Sequence, residues 1–203
     1  MRVVLLGPPG AGKGTQAVEL AKQFDCADVS TGEIFRGHVA RGTPLGRTAR
    51  EYMDRGDLVP DEVVIAMVME RLAEPDCDNG CVLDGFPRTV AQAEALDRRL
   101  AGQGTPLDAA LAFEISEEEL LKRLKGRAEQ LHRSDDGEHT IRHRLEVFAI
   151  KTRPLIDYYR HRGLLVPVDA IGEVPEVTQR ILDDLDALKA AQAARAEPTR
   201  ADS

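Results

Sequence analysis

Gly7-Pro-Pro-Gly-Ala-Gly-Lys13-Gly-Thr15, directly preceded by Arg2-Val-Val-Leu-Leu6, is the stretch that decides the fold. The apolar, β-branched run of residues 2–6 reads as a strand buried on both faces, the kind found in parallel sheets. After the loop, Thr15 to Phe24 reads as a helix with Ala17, Leu20, Ala21 and Phe24 on one face. Strand, glycine-rich loop, helix is the context that the pattern G-x-x-x-x-G-K requires to cradle phosphates. Glycines let backbone N–H groups close on an anion, and the helix start adds unpaired donors and a favourable dipole. Gly10, Ala11, Gly12, Lys13, Gly14 and Thr15 are therefore candidate triphosphate contacts, with Lys13 a point charge at the β- and γ-phosphates. A ligand-free glycine turn is the competing reading, and the flanking strand and helix speak against it. Gly14 stands where many such loops carry a Ser or Thr directly after the lysine, so metal holding depends less on a loop hydroxyl here.

Working outward, Cys81-Val-Leu83 ending at Asp84, Leu111 to Ile115, and Leu164 to Val168 read as further strands. Ser116 with Glu119 reads as a capping box opening a helix, and Glu176 to Lys189 as a closing helix with Val177, Ile181, Leu185 and Leu188 inward. Strands alternating with helices predict an α/β fold with a parallel sheet flanked by helices. Residues 30 to about 73 predict one long, mainly helical interruption, and 126–138 a short polar loop. The tail from Ala190 has no large apolar residue and is expected to fray.

Charge and composition narrow the function. A net charge of −8 argues against nucleic acid or anionic membrane as partner, while single arginines at motif positions suit a small anionic ligand. The longest early apolar run is too short for a signal peptide or a bilayer span, which gives a cytoplasmic expectation. Cys26, Cys77 and Cys81 are an odd number without zinc spacing, so reduced thiols and no structural zinc are expected. With no Trp, a base-stacking RNA surface is poorly supported.

Four segments in order resemble the adenylate kinase family: GPPGAGKGTQ at 7–16, Ser30-Thr-Gly-Glu-Ile-Phe-Arg36, Asp84-Gly-Phe-Pro-Arg88-Thr89 with Gln92, and Arg133-Ser-Asp-Asp136 followed by Ile141-Arg-His-Arg144. The resemblance runs from residue 1 to about 188 and implies a P-loop NTPase core (1–29, 60–125 and 137–189), a helical monophosphate-binding insertion (30–59) and a short lid (126–136), with a frayed tail at 190–203. It implies phosphoryl transfer from Mg-ATP to AMP, giving two ADP, by a monomer with a cis peptide at Phe86–Pro87. Arg36 and Arg88 would grip the monophosphate's phosphate. Arg123 would sit near the ATP base, Arg127 on its phosphates, and Arg133 and Arg144 would close on the transferring group. Lys13, Arg88, Arg127, Arg133 and Arg144 are thus the expected catalytic set, because a transition state with charge on equatorial oxygens needs convergent guanidiniums. Asp84, ending an apolar strand, would hold Mg2+ directly or through water. Thr31, Asp57, Leu58, Val59, Gly85, Phe86, Pro87 and Gln92 would form the AMP site, and Gly172 would contact the ATP base.

Rival readings remain. Kinases acting on UMP or CMP commonly carry Ala and Asn where this chain has Thr31 and Thr89. A regulatory GTPase needs an Asn-Lys-x-Asp motif, which the chain lacks. A nucleotide-binding protein without catalysis would be marked by a lost Lys13, Arg88 or Asp84, and all three are present.

Overall fold

The computed structural model of the chain describes residues 1–131 and 138–196. Five strands form one sheet: β1 (Arg2–Leu6), β2 (Ala27–Ser30), β3 (Cys81–Asp84), β4 (Ala109–Glu114) and β5 (Leu165–Asp169), in the order β2-β3-β1-β4-β5. Every pairing is parallel. Helices make the crossovers: α1 (Lys13–Phe24); α2 (Thr31–Ala40), α3 (Pro44–Arg55) and α4 (Asp61–Arg71) between β2 and β3; α5 (Val90–Gly102); and α6 (Glu117–Leu131), α7 (Glu138–Val147) and α8 (Pro154–His161) between β4 and β5; α9 (Val174–Ala196) follows β5.

Period-two alternation divides β1 between two cores. Val4 and Leu6 face a cluster with Val68, Leu96, Leu155 and Tyr159 from α4, α5 and α8. Val3 and Leu5 face Ala17, Leu20, Val177, Ile181 and Leu185 from α1 and α9. Both faces of the sheet are covered, which is why its strands read as unbroken apolar runs rather than alternating ones. The chain leaves β1 toward β2 on one side and later builds β4 and β5 on the other. The loop after β1 therefore opens at the switch point of a parallel sheet, where such folds place ligands.

Side chains cap the starts of several helices. Ser30, Thr43 and Thr89 each accept a backbone N–H from three residues on and so cap α2, α3 and α5. Ser116 does the same for α6, while the Glu119 carboxylate, expected to return the bond as the other half of a capping box, accepts from Arg123.

Three expectations change. The sequence reading does not foresee β2: it is a short edge strand in which only Ala27 and Val29 are buried, so its apolar signal is slight. Helix α6 runs through Leu131 into the stretch expected as a loop, since Arg127 to Leu131 are all good helix formers and outweigh Gly126. Helix α9 continues past Lys189 to Ala196, carried by an alanine-rich run; residues 197–203 of the tail lie outside the described part. The Phe86–Pro87 bond is cis. The three cysteines lie at the amino ends of β2 and β3, with Cys77 and Cys81 buried. No helix among the described residues is long and apolar enough to cross a membrane.

Candidate active site

At the carboxyl edge of the sheet a cleft of about 880 Å3 is lined by the loop after β1, the ends of β3 and β5, and α6. That volume suits a nucleotide-sized ligand. The loop is shaped by its glycines: Gly10 has φ +90, and a Cβ there would lie 2.8 Å from Leu124 Cγ. Backbone can turn there, close under α6, only without a side chain. The Lys13 ammonium donates to the carbonyls of Gly7 (2.7 Å) and Pro8 (2.8 Å), which sets it across the mouth of the loop.

Arg123 reaches the same loop from α6. Its Nε donates to Glu119 (2.9 Å) and its second nitrogen to the Ala170 carbonyl (3.0 Å), so the guanidinium is held between α6 and the turn after β5. A Cβ on Gly12 would lie 3.5 Å from it. Gly172 lines the cleft in that same turn. Gln16 fastens the turn from below, donating to the Val174 carbonyl and accepting from Thr178 of α9.

A second, smaller hollow of about 80 Å3 lies under the insertion, lined by Thr31, Phe35, Asp57, Leu58, Val59, Val64, Gly85 and Gln92. Arg36, Arg88 and Arg144 line both hollows and so form their common wall. Each comes from a different element: Arg36 from α2, Arg88 from the turn after β3, Arg144 from α7. Arg36 is linked to Glu33 (2.5 Å), while its buried Nε has no partner among the described residues. Arg88 is held at three points. Its Nε donates to the Gly85 carbonyl (2.9 Å), its N–H to Gln92 Oε1 (2.7 Å), and its carbonyl accepts from the Thr152 hydroxyl (3.0 Å). Gly85 itself has φ +80, and a Cβ there would lie 2.6 Å from Thr31 Oγ1, so the turn after β3 packs directly on the start of α2.

Asp84 ends β3 between Leu5 and Ser30 of its neighbours, and a Cβ on Gly14 would lie 3.3 Å from its Oδ2. One carboxylate beside the backbone that follows Lys13 suits Mg2+, which keeps most of its waters and takes phosphate oxygens as ligands. Two positions before Ser30 on β2, Asp28 lines the same cleft, and its carboxyl is pushed up by desolvation and then by Asp84 and Glu33. Asp57 is held below the usual carboxylate range by hydrogen bonds from His143 (2.7 Å) and Arg55 (3.0 Å).

The structure thus gathers Gly10 to Thr15, Asp84, Pro87, Arg88, Arg123, Arg144 and Gly172 around the large cleft, and Thr31, Asp57, Val59 and Gln92 around the small one. Phe86 is not brought to either: its ring is wholly buried in the core. Arg133, Asp135, Asp136 and the side chain of Arg127 lie outside the described residues. Sequence reading misses Asp28, Asp61, His143 and Thr152. For Thr152 the available signal is Pro154, which has no N–H to continue a helix; the turn before it, Phe148–Thr152, is π-helical.

The family model described as adenylate kinase matches residues 5–164. A protein of Thermobifida fusca named adenylate kinase is 57% identical over 185 residues, covering 91% of this chain and 98% of its own length. An adenylate kinase of Thermus thermophilus is 54% identical over 179 residues, covering 88% and 94%. That of Streptomyces avermitilis is 48% identical over 213 residues, covering 91% and 97%.

Proposed function

The chain belongs to the adenylate kinase family, and from that premise we propose how its residues divide the transfer of a phosphoryl group from ATP to AMP, giving two ADP. The observation that carries the proposal is the common wall: three arginines from three elements line two adjoining hollows, and the larger one holds the phosphate loop. Phosphoryl transfer needs little covalent help from a protein. It needs donor and acceptor held in line and positive charge around the oxygens that gain charge.

The ATP phosphates take the backbone N–H groups of residues 10–15, the start of α1 and the Lys13 ammonium. Arg123, with Gly172 and Ala170, borders the ATP base. The AMP base lies in the small hollow against Thr31, Leu58, Val59, Gly85 and Gln92, with the backbone of Asp57 to Val59 on its edge. Its phosphate meets Arg36, Arg88 and Arg144, and the transferring group lies between these and Lys13, with Arg127 and Arg133 supplied from the lid side. Asp84 would hold the Mg2+ that accompanies ATP, directly or through water, and the ion would add positive charge among the phosphate oxygens. Water is the competing acceptor, so closure of 30–59 and 126–136 over both substrates belongs to the mechanism. The enzyme acts as a monomer, with 1–29, 60–125 and 137–189 as the core on which these two segments move.

Mixing the protein with Mg-ATP and AMP, UMP, CMP or GMP, and following the diphosphates by phosphorus NMR, tests this. Equilibration of ATP and AMP with ADP, the other acceptors lagging far behind, is the expected result. Faster use of UMP or CMP would overturn the acceptor assignment, and binding without transfer would overturn catalysis.

A further inference from the structure

Gln92 is 1% exposed, yet its amide borders the small hollow, and both of its ends are engaged within the protein. Nε2 donates to Asp61 Oδ1 at 2.7 Å, and Oε1 accepts the Arg88 N–H at 2.7 Å. Asp61 stands in the first turn of α4, 31 residues away. Its other oxygen accepts from the Thr89 hydroxyl at 2.8 Å. That hydroxyl in turn accepts the Gln92 N–H at 3.2 Å as the cap of α5. The four groups close a ring of hydrogen bonds around one amide.

The chemistry of the partners decides which way the amide lies. A carboxylate can only accept, and a backbone N–H can only donate. The NH2 must therefore face Asp61 and the oxygen must face Arg88. Turning the amide over would set NH2 against N–H and oxygen against carboxylate, losing two hydrogen bonds and adding two repulsions. What remains for a ligand is one N–H and one oxygen lone pair, in a fixed order.

We infer that Asp61 is a positioning residue for base recognition, acting through Gln92 to favour adenine over guanine as the acceptor's base. Resting on the reading of Gln92 as an adenine contact, it adds what fixes the direction of that contact. Adenine offers a donor at N6 beside an acceptor at N1. Guanine offers the reverse, an acceptor at O6 beside a donor at N1. A freely turning amide would serve both; a pinned one serves the first and opposes the second. Thr89, which does not line the hollow, acts one step further back by holding the Asp61 carboxylate.

The test compares kcat and KM for AMP and GMP in Asp61→Asn, Gln92→Leu and the double variant. Asp61→Asn keeps the volume, but the new amide can donate as well as accept, and it lacks the charge that strengthens the bond to Nε2. Losing a charge-assisted hydrogen bond should lower the AMP-to-GMP ratio of kcat/KM about tenfold. KM for ATP should be unchanged. In the Gln92→Leu background Asp61→Asn should have no further effect on the ratio, because no amide remains to orient. A merely structural role for Asp61 would weaken both acceptors alike, and an unchanged ratio would overturn the inference. So would a further fall of the same size when Asp61→Asn is added to Gln92→Leu. An unchanged ratio in Gln92→Leu would instead overturn the reading of Gln92 itself. Should Asp61→Asn not fold, the unaltered protein still decides. The Gln92 side-chain amide, assigned by its absence in Gln92→Leu, should show one slowly exchanging proton; rapid exchange of both would refute the pinning.

Discussion

Replacing Gly10 by Ala should loosen the protein and weaken ATP binding together, because one added carbon acts on both the phosphate loop and the α6 leucines that cover it. At φ +90 an L residue is strained by about 1–2 kcal/mol. The new Cβ would also lie 2.8 Å from Leu124 Cγ, 2.9 Å from its Cδ2 and 3.2 Å from Leu120 Cδ1. Neither leucine has room to retreat: Leu124 and Leu120 are 1% and 5% exposed and pack with Ile141 of α7. Overpacking of this kind costs about 1–3 kcal/mol. The sum is about 3 kcal/mol, and at about 2–4 °C per kcal/mol for a chain this long Tm should fall by about 10 °C. Relief by displacement of α6 would carry Arg123 away from the loop, so KM for ATP should rise more than KM for AMP. Gly102→Ala is the control. It ends α5 with nothing within 4 Å of its Cβ, so helix propensity alone applies and Tm should rise by about 1–3 °C. Calorimetry and steady-state kinetics on the two variants check this. A Gly10→Ala protein that melts within about 2 °C of the parent with unaltered KM for ATP would refute the packing argument.

Two other outcomes follow from charge. The Asp28 carboxyl is pushed up in the folded protein by desolvation and by Asp84 and Glu33, so the folded state binds protons more tightly than the unfolded state between the two pKa values. Stability therefore falls as pH rises through that window; Asp28→Asn should melt higher than the parent at pH 7, the gain vanishing below about pH 4, and an equal gain at both pH values would count against it. His143→Leu removes the hydrogen bond to Asp57, whose groups are each 37% exposed, so the loss should be at most about 1 kcal/mol. Because the Asp57 carboxyl is lowered, that contribution is present above the unfolded carboxylate's pKa and lost as pH falls through the folded one. KM for AMP should rise by no more than about fivefold at neutral pH, and a change in KM for ATP instead would contradict the location of the contact.

The parts of the site that are legible in the sequence depend on neighbours along the chain. Gly7 to Thr15 is legible from its spacing between strand and helix, and Asp84 to Arg88 from its resemblance to the family's motif; in both, the residues concerned lie within a few positions of one another. Asp61, Thr152 and His143 meet their partners across 31, 64 and 86 residues, and no local pattern records such a meeting. The sheet is legible where strands are covered on both faces. At its edge, β2 needs only two apolar residues, and its other side is free to carry Asp28 toward the cleft. Helix ends are the least legible, since Gly126 and the small residues after Lys189 read as breaks where the summed propensity of their neighbours continues the helix.

The amino edge of the sheet has a practical consequence for watching the protein work. All three thiols gather there, opposite the cleft. Burial pushes Cys81 up to about 12 and raises Cys77 as well, so neither presents much thiolate to an alkylating dye at neutral pH. Only Cys26 is half-exposed. Replacing that one residue should leave a background quiet enough to install a fluorophore pair, one dye on an exposed position of α3 and the other on α9, and to test the proposed closure of residues 30–59 as a distance rather than infer it from rates.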